Sequence, residues 1–93
     1  MKEKIIKMVE TTGAVLVETN EDYVEYKLNE VIINVCGNTL DVTFNTMILY
    51  VETVARDTDL ELLNNRLQRV LRCCEELRSI YAECGQLPPE AEY

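Results

Sequence analysis

The hydrophobic positions of this chain change period twice. From Lys2 to about Thr12, Ile5, Met8, Val9 and Thr12 recur at helical spacing, and Gly13 follows where a helix end favours glycine. A short amphipathic helix is predicted there. Beyond it the period drops to two. Val15 and Val17 alternate with Leu16 and Glu18, and Val24, Tyr26 and Leu28 alternate with Tyr23, Glu25 and Lys27. After the polar break Asn29–Glu30, Val31, Ile33 and Val35 alternate with Ile32, Asn34 and Cys36. Gly37–Asn38 has the form of a two-residue hairpin, and Leu40, Val42 and Phe44 then alternate with Asp41, Thr43 and Asn45. This pattern predicts an antiparallel meander of four strands with one apolar face.

Thr46 to Arg56 reads two ways. Met47, Tyr50, Val51 and Val54 fit a helical face, yet Met47 through Val51 is a continuous run of strand formers. A fifth strand at the edge of the meander is the preferred reading, and its apolar outer face needs a cover.

The period then returns to helical. Leu60, Leu63, Leu67, Val70, Cys74, Leu77, Tyr81 and Cys84 are separated by alternating steps of three and four. That spacing gathers all eight on one seam of a single helix. Thr58-Asp59-Leu60-Glu61 reads as a capping box, with Thr58 as the cap. Gly85 and then Pro88–Pro89 end the helix. About 27 residues at 1.5 Å each span roughly 40 Å, more than the face of a small sheet. Leu71, Cys73 and Ile80 widen the apolar stripe beyond a strict heptad, which suits a helix lying on a sheet. The expectation is α+β. A short N-terminal helix precedes a four- to five-strand meander, and a long C-terminal helix packs on the sheet while its excess length serves a dimer seam. Residues 1–84 form one domain and residues 85–93 a mobile acidic tail.

Composition narrows the function classes. Ninety-three residues make one lean domain, which buries about 60–65% of the surface its unfolded form exposes. No run reaches the roughly 18 apolar residues of a membrane span, and the N-terminus, with Lys2, Lys4 and Lys7 among Glu3 and Glu10, reads as an amphipathic start without the continuous apolar core expected of a signal peptide. The chain reads as cytoplasmic. Its cysteines, Cys36, Cys73, Cys74 and Cys84, lack the paired spacing of a zinc site, and histidine is absent. Reduced structural thiols are expected, with no metal and no cofactor.

The missing histidine also removes the usual base for a serine or cysteine nucleophile. Ser79 is the only serine, and the three glycines lie too far apart to cradle a phosphate. No catalytic residues are assigned, and the chain reads as a protein other than an enzyme.

Charge is the more informative feature. The net charge is −8 at neutral pH, and residues 18–30 carry Glu18, Glu21, Asp22, Glu25 and Glu30 against Lys27 alone. Such a surface repels nucleic acid and attracts a basic protein; it also serves plain solubility. The first functional reading is therefore a non-catalytic inhibitor or regulator whose acidic face blocks a basic, nucleic-acid-binding partner. Size and charge alone match the small acidic anti-defence inhibitors of phages and other mobile elements. The alternative is a homodimeric protein that binds or sequesters a nucleotide-like anion, with Arg66, Arg69 and Arg72 as a basic stripe and Tyr23, Tyr26 and Tyr50 lining the pocket. A third reading is an acidic chaperone or adaptor for a basic effector. Each takes the chain as a homodimer, through Leu60, Leu63, Leu67, Val70, Cys74, Leu77 and Tyr81, through the fifth segment, or both.

Overall fold

The computed structural model describes residues 2–85. Helix α1 (Lys2–Glu10) precedes five strands, β1 (Val15–Thr19), β2 (Tyr23–Leu28), β3 (Val31–Cys36), β4 (Thr39–Phe44) and β5 (Met47–Thr53), and helix α2 (Leu60–Glu83) closes the chain. The strands form one antiparallel meander in sequence order, so β1 and β5 are its two edges. The α+β architecture expected from the periodicities is the observed one, and Thr46–Arg56 contributes the fifth strand. The proposed tail lies outside the described residues, apart from Gly85.

The turns explain the register. Asn29 and Gly37 open the two-residue links β2–β3 and β3–β4 at φ 54° and 59°, where an ordinary side chain is disfavoured and asparagine or glycine is tolerated. Asn45 and Thr46 make the β4–β5 link at φ 49° and 68°. Both being positive is the type I′ pattern, whose twist suits a hairpin. Thr46 is β-branched and strained in that conformation.

Both helices lie on the same face of the sheet. Ile5 and Val9 of α1 and Leu63, Leu67, Leu71 and Cys74 of α2 bury against Val24, Tyr26, Val31, Ile33, Val35, Leu40, Val42 and Phe44. Complete burial of each aliphatic side chain is worth about 1.5–3 kcal/mol relative to exposure. The seam read from the heptad is thus directed into the protomer's own core at Leu63, Leu67 and Cys74. Leu60, Val70, Leu77 and Tyr81 pack at its margin, with the Tyr81 ring 6.3 Å from that of Phe44. Leu71, off the heptad, is buried as well. A wide stripe is what a flat sheet receives.

One detail of the helix start is corrected. Asp59, not Thr58, is the N-cap, and its carboxylate accepts from the backbone N–H groups of Glu61 and Leu62 at 2.9 and 3.3 Å. Thr58 instead accepts from the Ala55 N–H at 2.9 Å and closes the β5–α2 link. Asp59 already bears a carboxylate at the positive end of the helix, so it outcompetes the hydroxyl one residue earlier. At its far end α2 finishes at Glu83, with Cys84 as the cap residue. Its 24 residues span about 36 Å, whereas the seven residues of β5 span about 23 Å.

Candidate functional site

With both helices on one side, the other face of the sheet has no layer over it among the described residues. Cross-strand register assigns its side chains to rows. Val15, Lys27, Ile32, Thr43 and Ile48 form one row; Glu18, Glu25, Asn34, Asp41 and Val51 form the next; Tyr23, Cys36, Thr39 and Thr53 form a third. The middle row therefore sets three carboxylates and an amide side by side on β1 to β4.

Two bulges decide what this face carries. In β1, Val17 is the extra residue between the Leu16–Tyr26 and Glu18–Glu25 pairs. Without it Glu18 would fall opposite Val24, on the helix-covered face; the bulge re-aims it beside Glu25. In β5, Leu49 is the extra residue between the Thr43–Ile48 and Val42–Tyr50 pairs. This shift turns Tyr50 and Glu52 toward α2 and leaves Val51 on the open face.

The carboxylate row is electrostatically loaded. Partial burial raises the Glu25 carboxyl above its ordinary range, and the charges of Glu18 and Asp41 add to the effect. Burial likewise raises Asp41. The Asn34 Oδ1 between them is buried and accepts no hydrogen bond. At the row's edge, the Tyr23 hydroxyl donates to Glu18 Oε2 at 2.8 Å, which raises the tyrosine's own pKa. Lys27 is the cation of the neighbouring row. The middle row is a string of acceptors held at some electrostatic cost, and added cationic donors would relieve that cost.

The residues of the expected acidic face are only partly brought together. Glu18 and Glu25 share the row, and Glu21 and Asp22 stand in the exposed turn at its end, where Asn20 Oδ1 accepts from the Asp22 and Tyr23 N–H groups. Glu30 is elsewhere. It sits in the β2–β3 turn on the helix side, and Arg78 Nε of α2 lies 3.1 and 3.0 Å from its two carboxylate oxygens. Asp41 belongs to the row and was not among the expected residues, although counting outward from the Gly37–Asn38 turn pairs it with Asn34.

The arginine stripe and the tyrosines do not converge on one pocket. Arg66 is bound to Glu52, and Tyr50 donates to the same carboxylate at 2.7 Å. Tyr26 is buried in the core and Tyr23 lies on the opposite face, while Arg69 and Arg72 are exposed on α2. The best-formed cavity is elsewhere, a cleft of about 150 Å³ lined by Leu28, Glu30, Phe44, Leu71, Cys74 and Arg78 among others. A second hollow of about 380 Å³, bounded by Asn29, Glu75, Arg78, Ser79 and Ala82, shares part of its wall. Its one arginine is already neutralised by Glu30, and Glu75 adds a further carboxylate, so its charge does not suit an anion.

Burial pushes the Cys74 thiol up to about 11, the setting of an inert structural cysteine. Among the described residues no cluster of carboxylates and thiols has the arrangement of a metal site. No helix among them is long and apolar enough to cross a membrane. Comparison of the chain with known protein families, with characterised proteins and with solved structures returns no match.

Proposed function

We propose that the chain is a non-catalytic interaction protein that uses the open face of its sheet to bind, and thereby block or regulate, a basic protein surface such as that of a nucleic-acid-binding partner. One observation carries this reading: the row Glu18–Glu25–Asn34–Asp41 presents acceptors on a face that no other described element covers. Arginine and lysine side chains are the donors that match such a row, and they neutralise carboxylates that now repel one another. The flanking apolar residues Val15, Ile32, Ile48 and Val51 supply dry contact on either side of the charges. The same reading takes the working unit as a homodimer, because the apolar exposure of β5 calls for a cover.

The test is a binding titration against a basic nucleic-acid-binding domain, run at low and at elevated salt. Wild-type affinity is expected to fall with salt, and the Glu18→Lys, Glu25→Lys, Asp41→Lys triple variant is expected to lose binding. Equal binding by the triple variant, or affinity indifferent to salt, overturns the reading. The anion-sequestering alternative draws less support, because Arg66 is already paired and the tyrosines are dispersed.

A further inference from the structure

Among the described residues, the large exposed hydrophobic side chains fall in two places. Val15, Leu16 and Val17 lie on β1, while Met47, Ile48, Leu49, Val51, Leu62 and Ile80 lie on β5 and α2. Leu62 and Ile80 share one line of α2 with Arg66, at helical spacing, and Arg66 reaches down to Glu52 of β5. That line is therefore the flank of α2 that overlooks the β5 edge. Six of the nine exposed hydrophobics thus border one side of the molecule, where Ile48 is 67% exposed and Val51 57%.

We infer that this side is where a second copy of the chain docks, β5 running antiparallel to the partner's β5 about a two-fold axis. The inference rests on the homodimer of the proposed function and adds its interface. Charge selects the occupant. A chain of net charge −8 repels its own copy over most of its surface. The β1 edge is no exception, for it carries Glu18, with Glu21 and Asp22 exposed in the turn at its end. Along β5 the one charged side chain is Glu52, and Arg66 neutralises it. Two copies approach there without like-charge opposition. A basic partner is drawn instead to the carboxylate row, because the one acid of β5, Glu52, is already paired with Arg66.

The contact is also self-complementary. An edge strand offers outward backbone N–H and C=O groups to an identical edge, and antiparallel pairing about a two-fold satisfies both copies alike. The axis of such a pairing stands perpendicular to the sheet, so both helix layers lie on one side and both open faces on the other. The result is a ten-stranded sheet with two carboxylate rows on a common surface, suited to a partner with basic patches on both sides of its own two-fold.

Two measurements test this without the basic partner. Light scattering on the eluting protein is expected to give twice the mass of one chain for wild type and for Val15→Glu, Val17→Glu, and the mass of one chain for Ile48→Glu, Val51→Glu. Hydrogen exchange on the wild type, which needs no variant to fold, is expected to show amides of residues 47–53 losing protection on dilution while residues 15–19 do not change. A monomeric wild type overturns the dimer. A dimer that persists in the β5 variant, or dilution-sensitive protection at β1, overturns this interface. The failure of either leaves the salt-dependent binding of a basic domain to decide the proposed function by itself.

Discussion

Arg66 of α2 grips Glu52 of β5 at both carboxylate oxygens, Nε donating to Oε1 at 3.0 Å and Nη2 to Oε2 at 2.7 Å. A two-point contact fixes direction as well as distance, so the long helix is tied to the free edge of the sheet. The hydrogen bond from Arg66 holds Glu52 below the usual carboxylate range. Its contribution is therefore present above the ordinary glutamate value, about 4.3, and is lost as pH falls through the lowered one. Arg66→Met is expected to melt below wild type at pH 7, with the gap closing under strongly acidic conditions. Thermal melts from pH 7 to pH 2 check this; a gap independent of pH would assign the loss to packing alone.

Glu25 and Asp41 act with the opposite sign. Their raised pKa values mean that the folded protein holds these protons more tightly than the unfolded chain does. Their contribution to stability accordingly grows as pH falls from neutral toward about 4, the range of unperturbed carboxylates. The Glu25→Gln, Asp41→Asn variant is expected to melt higher than wild type at pH 7 and to show less gain on acidification. For the same reason wild-type binding of a basic domain should strengthen as pH rises through the raised range of these two carboxyls, because the partner's cations favour the ionised row.

Leu67 is fully buried between α2 and the sheet, whereas Ile80 on the same helix is 54% exposed. Leu67→Ala should cost about 2–5 kcal/mol through lost transfer energy and a residual cavity, and Ile80→Ala less than about 1 kcal/mol. Denaturant titration distinguishes them. Comparable losses at both sites would mean that Ile80 is covered in solution, as the inferred dimer allows at its flank.

Thr46 holds φ at 68°, where its branched side chain is strained. Relief of about 1–2 kcal/mol of left-handed strain exceeds the roughly 0.5–1 kcal/mol entropic cost of glycine. Thr46→Gly is expected to raise stability by about 0.5–1 kcal/mol, seen as a Tm higher by a few degrees.

Cys36, Cys73 and Cys84 are exposed and Cys74 is buried. Mild alkylation of the native, reduced protein should label those three and spare Cys74, which reacts only after denaturation. Native labelling of Cys74, read by peptide mass spectrometry, would contradict its burial between α2 and the sheet.

Much of the architecture follows from local rules acting on neighbouring residues. The change from helical to alternating spacing at Val15 and back at Leu60 marks the elements, because an apolar face can be buried only if its period matches the backbone. Two-residue turns at Asn29–Glu30 and Gly37–Asn38 determine the pairing outward from each link, and so bring Glu25, Asn34 and Asp41 into one row by counting alone. Three things needed the tertiary structure. The bulges at Val17 and Leu49 reverse the faces of Glu18, Tyr50, Val51 and Glu52, and an extra residue in one strand has no signature in an alternating run of strand formers. The heptad of α2 marks a seam without naming its partner, since Leu63, Leu67 and Cys74 would be equally apolar against a sheet or a second helix; the sheet of the same chain takes them. Glu30 is adjacent in sequence to the acidic hairpin but is drawn to Arg78, a residue 48 positions away. Such pairings depend on where the long helix comes to rest, and that is set by how both helices share the one apolar face of the sheet.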